Sequence, residues 1–146
     1  SNAYMLFIFG YFTYGYFGAM VYPLYGFLLS GIVNALTVIT YPAETRLLGA
    51  SGMVYWLGGF WLTSYFFIQR QHSPLARMLR VLGIAVMVFF PTSFVPTTSY
   101  RAHAIGFAMG AAFAALHFFL NKSKIRSYEA YKHLLIEPEI ADESLI

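Results

Sequence analysis

The chain has 146 residues, 59% of them hydrophobic, 20% aromatic and only 10% charged. Soluble domains carry about 25% charged residues, so this composition excludes an ordinary water-soluble globule and points to helices that cross a bilayer. The absence of cysteine excludes a disulfide framework, a thiolate nucleophile and a cysteine-based metal site, and the net charge of +3 reads as membrane orientation, not as affinity for nucleic acid.

The chain opens on Ser1-Asn2-Ala3, a tripeptide that tag removal also leaves behind and that reads equally as native sequence. No basic stretch precedes the first apolar run, so no signal peptide is visible, and an upstream part is expected to be missing. Apolar segments follow over 3–20, 24–41, 48–68, 79–95 and 102–120. Each is near the ~20 residues that a spanning helix needs. Tyr22-Pro23, the stretch from Pro42 to Arg46, the stretch from Arg70 to Arg80 and the stretch from Pro96 to Arg101 separate them. This pattern predicts an all-α polytopic membrane protein with five transmembrane helices in residues 1–121 and a cytoplasmic tail over 122–146. The tail is basic to Lys132 and acidic from Glu137 to Glu143, which is most simply a solvated surface.

Short loops make neighbouring helices antiparallel. Arg70, Arg77, Arg80, Lys122, Lys124, Arg126 and Lys132 then share one side of the membrane and account for seven of the nine basic residues. The positive-inside rule makes that side cytoplasmic. Spans one, three and five accordingly run inward from the outer face, as expected of a bacterial-type inner membrane protein.

Two residues stand at comparable depth near the outer starts of their helices: Ser51 in Gly49-Ala50-Ser51-Gly52 and His103 in span five. A serine beside a histidine is the minimum pair for nucleophilic catalysis, because the imidazole takes the hydroxyl proton and returns it to the leaving amine. Gly49 and Gly52 permit close backbone approach and free N–H groups for an oxyanion. Asn2 falls at the same level and can add an amide donor. The same small residues also serve plain helix packing, and Gly106 and Gly110 have the close-contact spacing. A serine in such a helix commonly bonds the carbonyl one turn back. The histidine tips the balance, since ionisable groups inside a membrane tend to mark function. His117 suits an interfacial role, and His72 and His133 suggest nothing special. Glu44 is the only acid before the tail, and no His-Glu-x-x-His occurs. Paired intramembrane carboxylates and that class of zinc site are therefore excluded, and no cofactor is expected.

At these residues the chain resembles the rhomboid family of intramembrane serine proteases. The family's Gly-x-Ser-Gly motif stands as Gly49-Ala50-Ser51-Gly52, and its Ala-His-x-x-Gly-x-x-x-Gly motif runs from Ala102-His103 through Gly106 to Gly110. Tyr55 matches an aromatic that packs on the catalytic histidine in the family. Asn2 and Gly10 have the family's eight-residue separation, and the 52 residues between Ser51 and His103 suit two helices with one between them. Tyr14 stands where many bacterial relatives carry Glu. The resemblance covers about residues 2–120 and implies five of six core helices, the first helix and first loop preceding residue 1.

The resemblance implies hydrolysis of peptide bonds in or near the transmembrane segments of membrane-protein substrates. Ser51 is then the nucleophile and His103 the general base and acid. Asn2 and the Ser51 N–H hold the oxyanion, Gly49 shapes the turn, and Tyr55, Gly52, Gly106 and Gly110 support the site. A polar stripe of Ser30, Asn34 and Thr37 could line a wet cavity or simply bond between helices. Span four, interrupted by Pro91, is expected to move for substrate entry, so that crosslinking it to span two slows cleavage. The rival readings are a rhomboid-like protein that binds client helices without cutting them, and a small-solute channel or transporter, which lacks supporting charges or repeats. Neither the oligomeric state nor the identity of the substrate is legible.

Overall fold

The computed structural model describes residues 2–42, 50–89 and 98–143, with side chains as far as 127. Among the described residues the chain is helical throughout: α1 (Asn2–Phe17), a π-helical segment (Met20–Tyr25), α2 (Gly26–Ile39), α3 (Ser51–Ile68), α4 (Pro74–Phe89) and α5 (Tyr100–Glu143). Two units separate, Ser1–Ala115 and Leu116–Ile146. The residues of the candidate site belong to the first. In the second, the Asn121 amide donates to the His117 carbonyl at 2.9 Å, a bond along its own helix.

Local sequence explains most boundaries. Gly18 takes φ +77°, a conformation that glycine adopts without cost, and its N–H donates to the Tyr14 carbonyl at 2.8 Å, closing α1. Tyr22, ahead of Pro23, is extended (φ −139°, ψ 127°), so the expected break falls inside the π segment. The connection before α4 is shorter than expected. Helix begins at Pro74, with the Ser73 hydroxyl accepting from the Ala76 N–H at 3.3 Å, so Arg77 and Arg80 lie on α4 and not in a loop. Ser-Pro is a start signal and arginine a good helix former, so the chain has no reason to stay irregular there. Both arginines turn to the end of α3: Arg77 donates to the Phe66 carbonyl at 2.6 Å, and Arg80 to the Tyr65 hydroxyl at 3.3 Å.

α3 is the central element. Ten of its eighteen residues are buried, whereas no residue of α4 is. Trp56, Leu57 and Phe60 have no exposed surface and form the core with Phe9, Val21, Val33 and Ala114. A helix apolar all round has to be surrounded on every side. Rings on α1 pack against α3: Phe9 and Phe12 meet Trp61, and Phe17 meets Phe60 at 4.9 Å between centroids.

Phe7, Ile32, Ile39, Val86 and Met87 face outward, a surface suited to hydrocarbon and not to water. Among the described residues two stretches are long and apolar enough to cross a membrane, Met20–Ile39 and Tyr100–Ser127. The described parts of α1 and α4 are 16 residues each, and α3 mixes glycine, serine, threonine, tyrosine and tryptophan among its aliphatics.

Candidate active site

Ser51 is the first residue of α3, and Ala50 before it offers no side-chain cap. The N–H groups of a helix's first turn have no partner inside the helix, and together with the helix dipole they favour negative charge nearby. The start of α5 lies at the same end of the bundle as the end of α2. Arg101 donates to the Thr40 carbonyl and lies over the Tyr41 ring at 4.7 Å, while the Tyr41 and Ser99 hydroxyls are 3.3 Å apart.

Glycines then bring the backbones of α3 and α5 together. A Cβ on Gly106 would fall 2.6 Å from the Gly52 carbonyl oxygen. One on Gly110 would collide with the Trp56 carbonyl, and one on Gly59 with the Phe107 carbonyl. The order of these contacts makes the two helices run in parallel, with Ser51 and His103 near the shared end. Tyr55, one turn after Ser51, stacks on the His103 imidazole with centroids 3.9 Å apart and planes at 8°. Tyr100 meets the same imidazole edge-on at 6.0 Å. The Tyr55 hydroxyl donates to the Phe89 carbonyl at the end of α4, at 3.2 Å. A cavity of about 490 Å³ opens beside His103, with Tyr55 and Tyr100 at its polar side and Ala85, Phe89 and Phe107 among its apolar walls.

Other expected members are placed differently. Among the described residues no hydrogen bond joins the Ser51 hydroxyl to His103, and Ser51 does not line the cavity. Asn2 begins α1 and is exposed, with no described hydrogen bond to either residue. Gly49 lies outside the described residues, as does Pro91. The polar stripe of α2 divides: Ser30 and Thr37 donate to their own helix at Gly26 (2.6 Å) and Val33 (2.7 Å), which satisfies them without water. The Asn34 amide oxygen instead lies against Gly52, 3.1 Å from where a Cβ would be. Sequence reasoning missed Phe89, whose ring packs on Gly58, Tyr55, Phe9 and Phe107; a phenylalanine in an apolar span gives no signal of such a role. Among the described residues no group of three His, Cys, Asp or Glu is placed to hold a metal.

The rhomboid-domain family model matches residues 1–119. The chain belongs to the rhomboid family. No curated protein and no solved structure matches it. As a rhomboid-family chain with long apolar helices it is an integral membrane protein. The rhomboid family is generally one of intramembrane serine proteases acting on membrane-protein substrates in the bilayer, and it also contains inactive members.

Proposed function

We propose that this rhomboid-family protein is an intramembrane serine endopeptidase that hydrolyses peptide bonds in or near the transmembrane segments of its substrates. The observation that carries the reading is the contact of Gly52 on Gly106, which together with the Tyr55–His103 stack holds the serine end of α3 beside the imidazole of α5. Ser51 attacks the scissile carbonyl. His103 accepts its proton and later protonates the leaving amine. The Ser51 N–H, at the uncapped start of α3, receives the oxyanion, with Asn2 as the second donor and Gly49 shaping the turn. Losing one such donor costs a factor of about 100–1,000. That no hydrogen bond between Ser51 and His103 is described is compatible with this chemistry, because catalytic hydrogen bonds often tighten only when substrate is bound. A substrate helix has every backbone group paired, so it has to unwind locally before attack.

In the same reading all five helices cross the bilayer. The end bearing Ser51 and His103 faces outward, and the basic end of α4 and the tail over 122–146 are cytoplasmic.

The missing Ser51–His103 hydrogen bond favours one alternative, a family member that binds client helices without cutting them. A fluorophosphonate separates the two. The protease reading expects covalent labelling of Ser51, lost in Ser51→Ala and reduced on the order of 100-fold or more in His103→Ala. A folded protein that never labels, in detergent or in bilayers, is the binder.

A further inference from the structure

We propose that Arg101 is a positioning residue: with Ser99 and Tyr41 it clasps the first turn of α5 to the end of α2, and so fixes the depth at which His103 meets the start of α3. The catalytic consequence rests on the protease reading, whereas the clasp itself is a structural claim.

Arg101 is a poor choice for its own helix. It stands second in α5, where the unpaired N–H groups and the helix dipole disfavour a cation. The end of α2 has the opposite need. Its last turn holds no basic residue, and the final carbonyls of a helix lack partners within it and favour a cation. Thr40 is the C-cap of α2, and Arg101 donates to its carbonyl. The guanidinium also lies over the Tyr41 ring, 4.7 Å from the centroid, and a cation over a tyrosine face adds an attraction of its own. Ser99 supplies the second point. Its hydroxyl accepts from the Ala102 N–H at 3.3 Å, which caps α5, and it lies 3.3 Å from the Tyr41 hydroxyl. The backbone carries the constraint inward, because the His103 N–H donates to the Ser99 carbonyl at 3.3 Å. His103 thus lies between two fixed points of α5. One turn after it, Gly106 packs on the Gly52 carbonyl of α3; one turn before it, Ser99 and Arg101 hold to α2. Without the clasp the glycine seam still joins α3 to α5, but the turn that bears the imidazole loses its outer support.

With the full chain in bilayers, amide hydrogen exchange reads the clasp at residues 102–104 and the seam at 106–110. Arg101→Ala deletes the charged donor, while Tyr41→Phe keeps the ring and deletes only the hydroxyl. Exchange at 102–104 is expected to quicken about tenfold or more in Arg101→Ala and about three- to tenfold in Tyr41→Phe, the ranges of a charged and an ordinary hydrogen bond. Exchange at 106–110 should stay within about twofold of the parent in both, since the opening is local. Both variants should lower kcat for a transmembrane substrate about threefold or more with KM unchanged. Arg101→Lys, which keeps a cation and a donor, should fall between Arg101→Ala and the parent. Unchanged exchange at 102–104 in either variant overturns the clasp; if Arg101→Ala does not fold, Tyr41→Phe decides alone. Equal quickening at 106–110 makes Arg101 a residue of the fold at large and overturns the positioning role. So does faster exchange at 102–104 with kcat unchanged, or a change confined to KM, which would put Arg101 on the substrate. A parent that neither labels at Ser51 nor cleaves refutes the protease reading and the catalytic consequence, while the exchange measurement still decides the clasp.

Discussion

Ser30 and Thr37 show how a single hydrogen bond changes the meaning of a residue. In sequence they form a polar stripe with Asn34, facing wherever α2 faces. In the structure both hydroxyls are spent on carbonyls of their own helix, four residues back. Ser30→Ala and Thr37→Ala should therefore leave the labelling rate of Ser51 within about twofold of the parent, since each removes only a local bond of about 0.5–1.5 kcal/mol. A loss of tenfold or more in either would mean that the hydroxyl serves the site. Asn34, whose amide oxygen lies against Gly52, is the member of the stripe that reaches the start of α3.

Between elements, the decisive feature is the seam of α3 on α5. In a bilayer, helices gain little from burying carbon against carbon, and close backbone approach through small residues does more of the work. Gly106 and Gly110 face backbone carbonyls of α3, which cannot rotate out of the way as a flexible side chain can. Gly106→Ala and Gly110→Ala should each destabilise the fold by about 1–3 kcal/mol, the usual range for overpacking. The measurement is unfolding in mixed micelles, with retained folding at low denaturant as the check. Gly83 and Gly31 have open space where a Cβ would go, so alanine there should cost far less. The motif spacing already marked 106 and 110 in the sequence. It could not say that they meet Gly52 and Trp56, because the partner of a small residue depends on which helix lies alongside.

For the whole molecule, the direction of the helices and the freedom of α4 matter most. The proposed orientation predicts that a membrane-impermeant maleimide labels Pro42→Cys in intact cells, whereas Gln71→Cys reacts only after permeabilisation. Reversed labelling would invert the assignment. Movement of α4 is tested by a tether. Sequence reasoning expected the tether to join the fourth span to the second, but the end of α4 packs on Phe9, so the neighbour to reach is α1. A disulfide between α1 and α4 should slow cleavage of a transmembrane substrate at least tenfold, with recovery on reduction. Undiminished cleavage in the oxidised state would exclude α4 as the gate.

Composition and the spacing of breakers were enough for an all-helical chain, the turn at Tyr22-Pro23 and the family motifs around Ser51 and His103, because those properties are local. Hydrophobic length marks a helix, proline and glycine interrupt it, and a short motif carries its own residues with it. Tertiary structure decided which helix is central, which glycines meet, how Tyr55 joins His103 to Phe89, and that Arg77 and Arg80 belong to a helix clasped by α3. Each of these depends on contacts between residues far apart in the chain, and in a sequence so uniformly apolar almost any face can pack on any other.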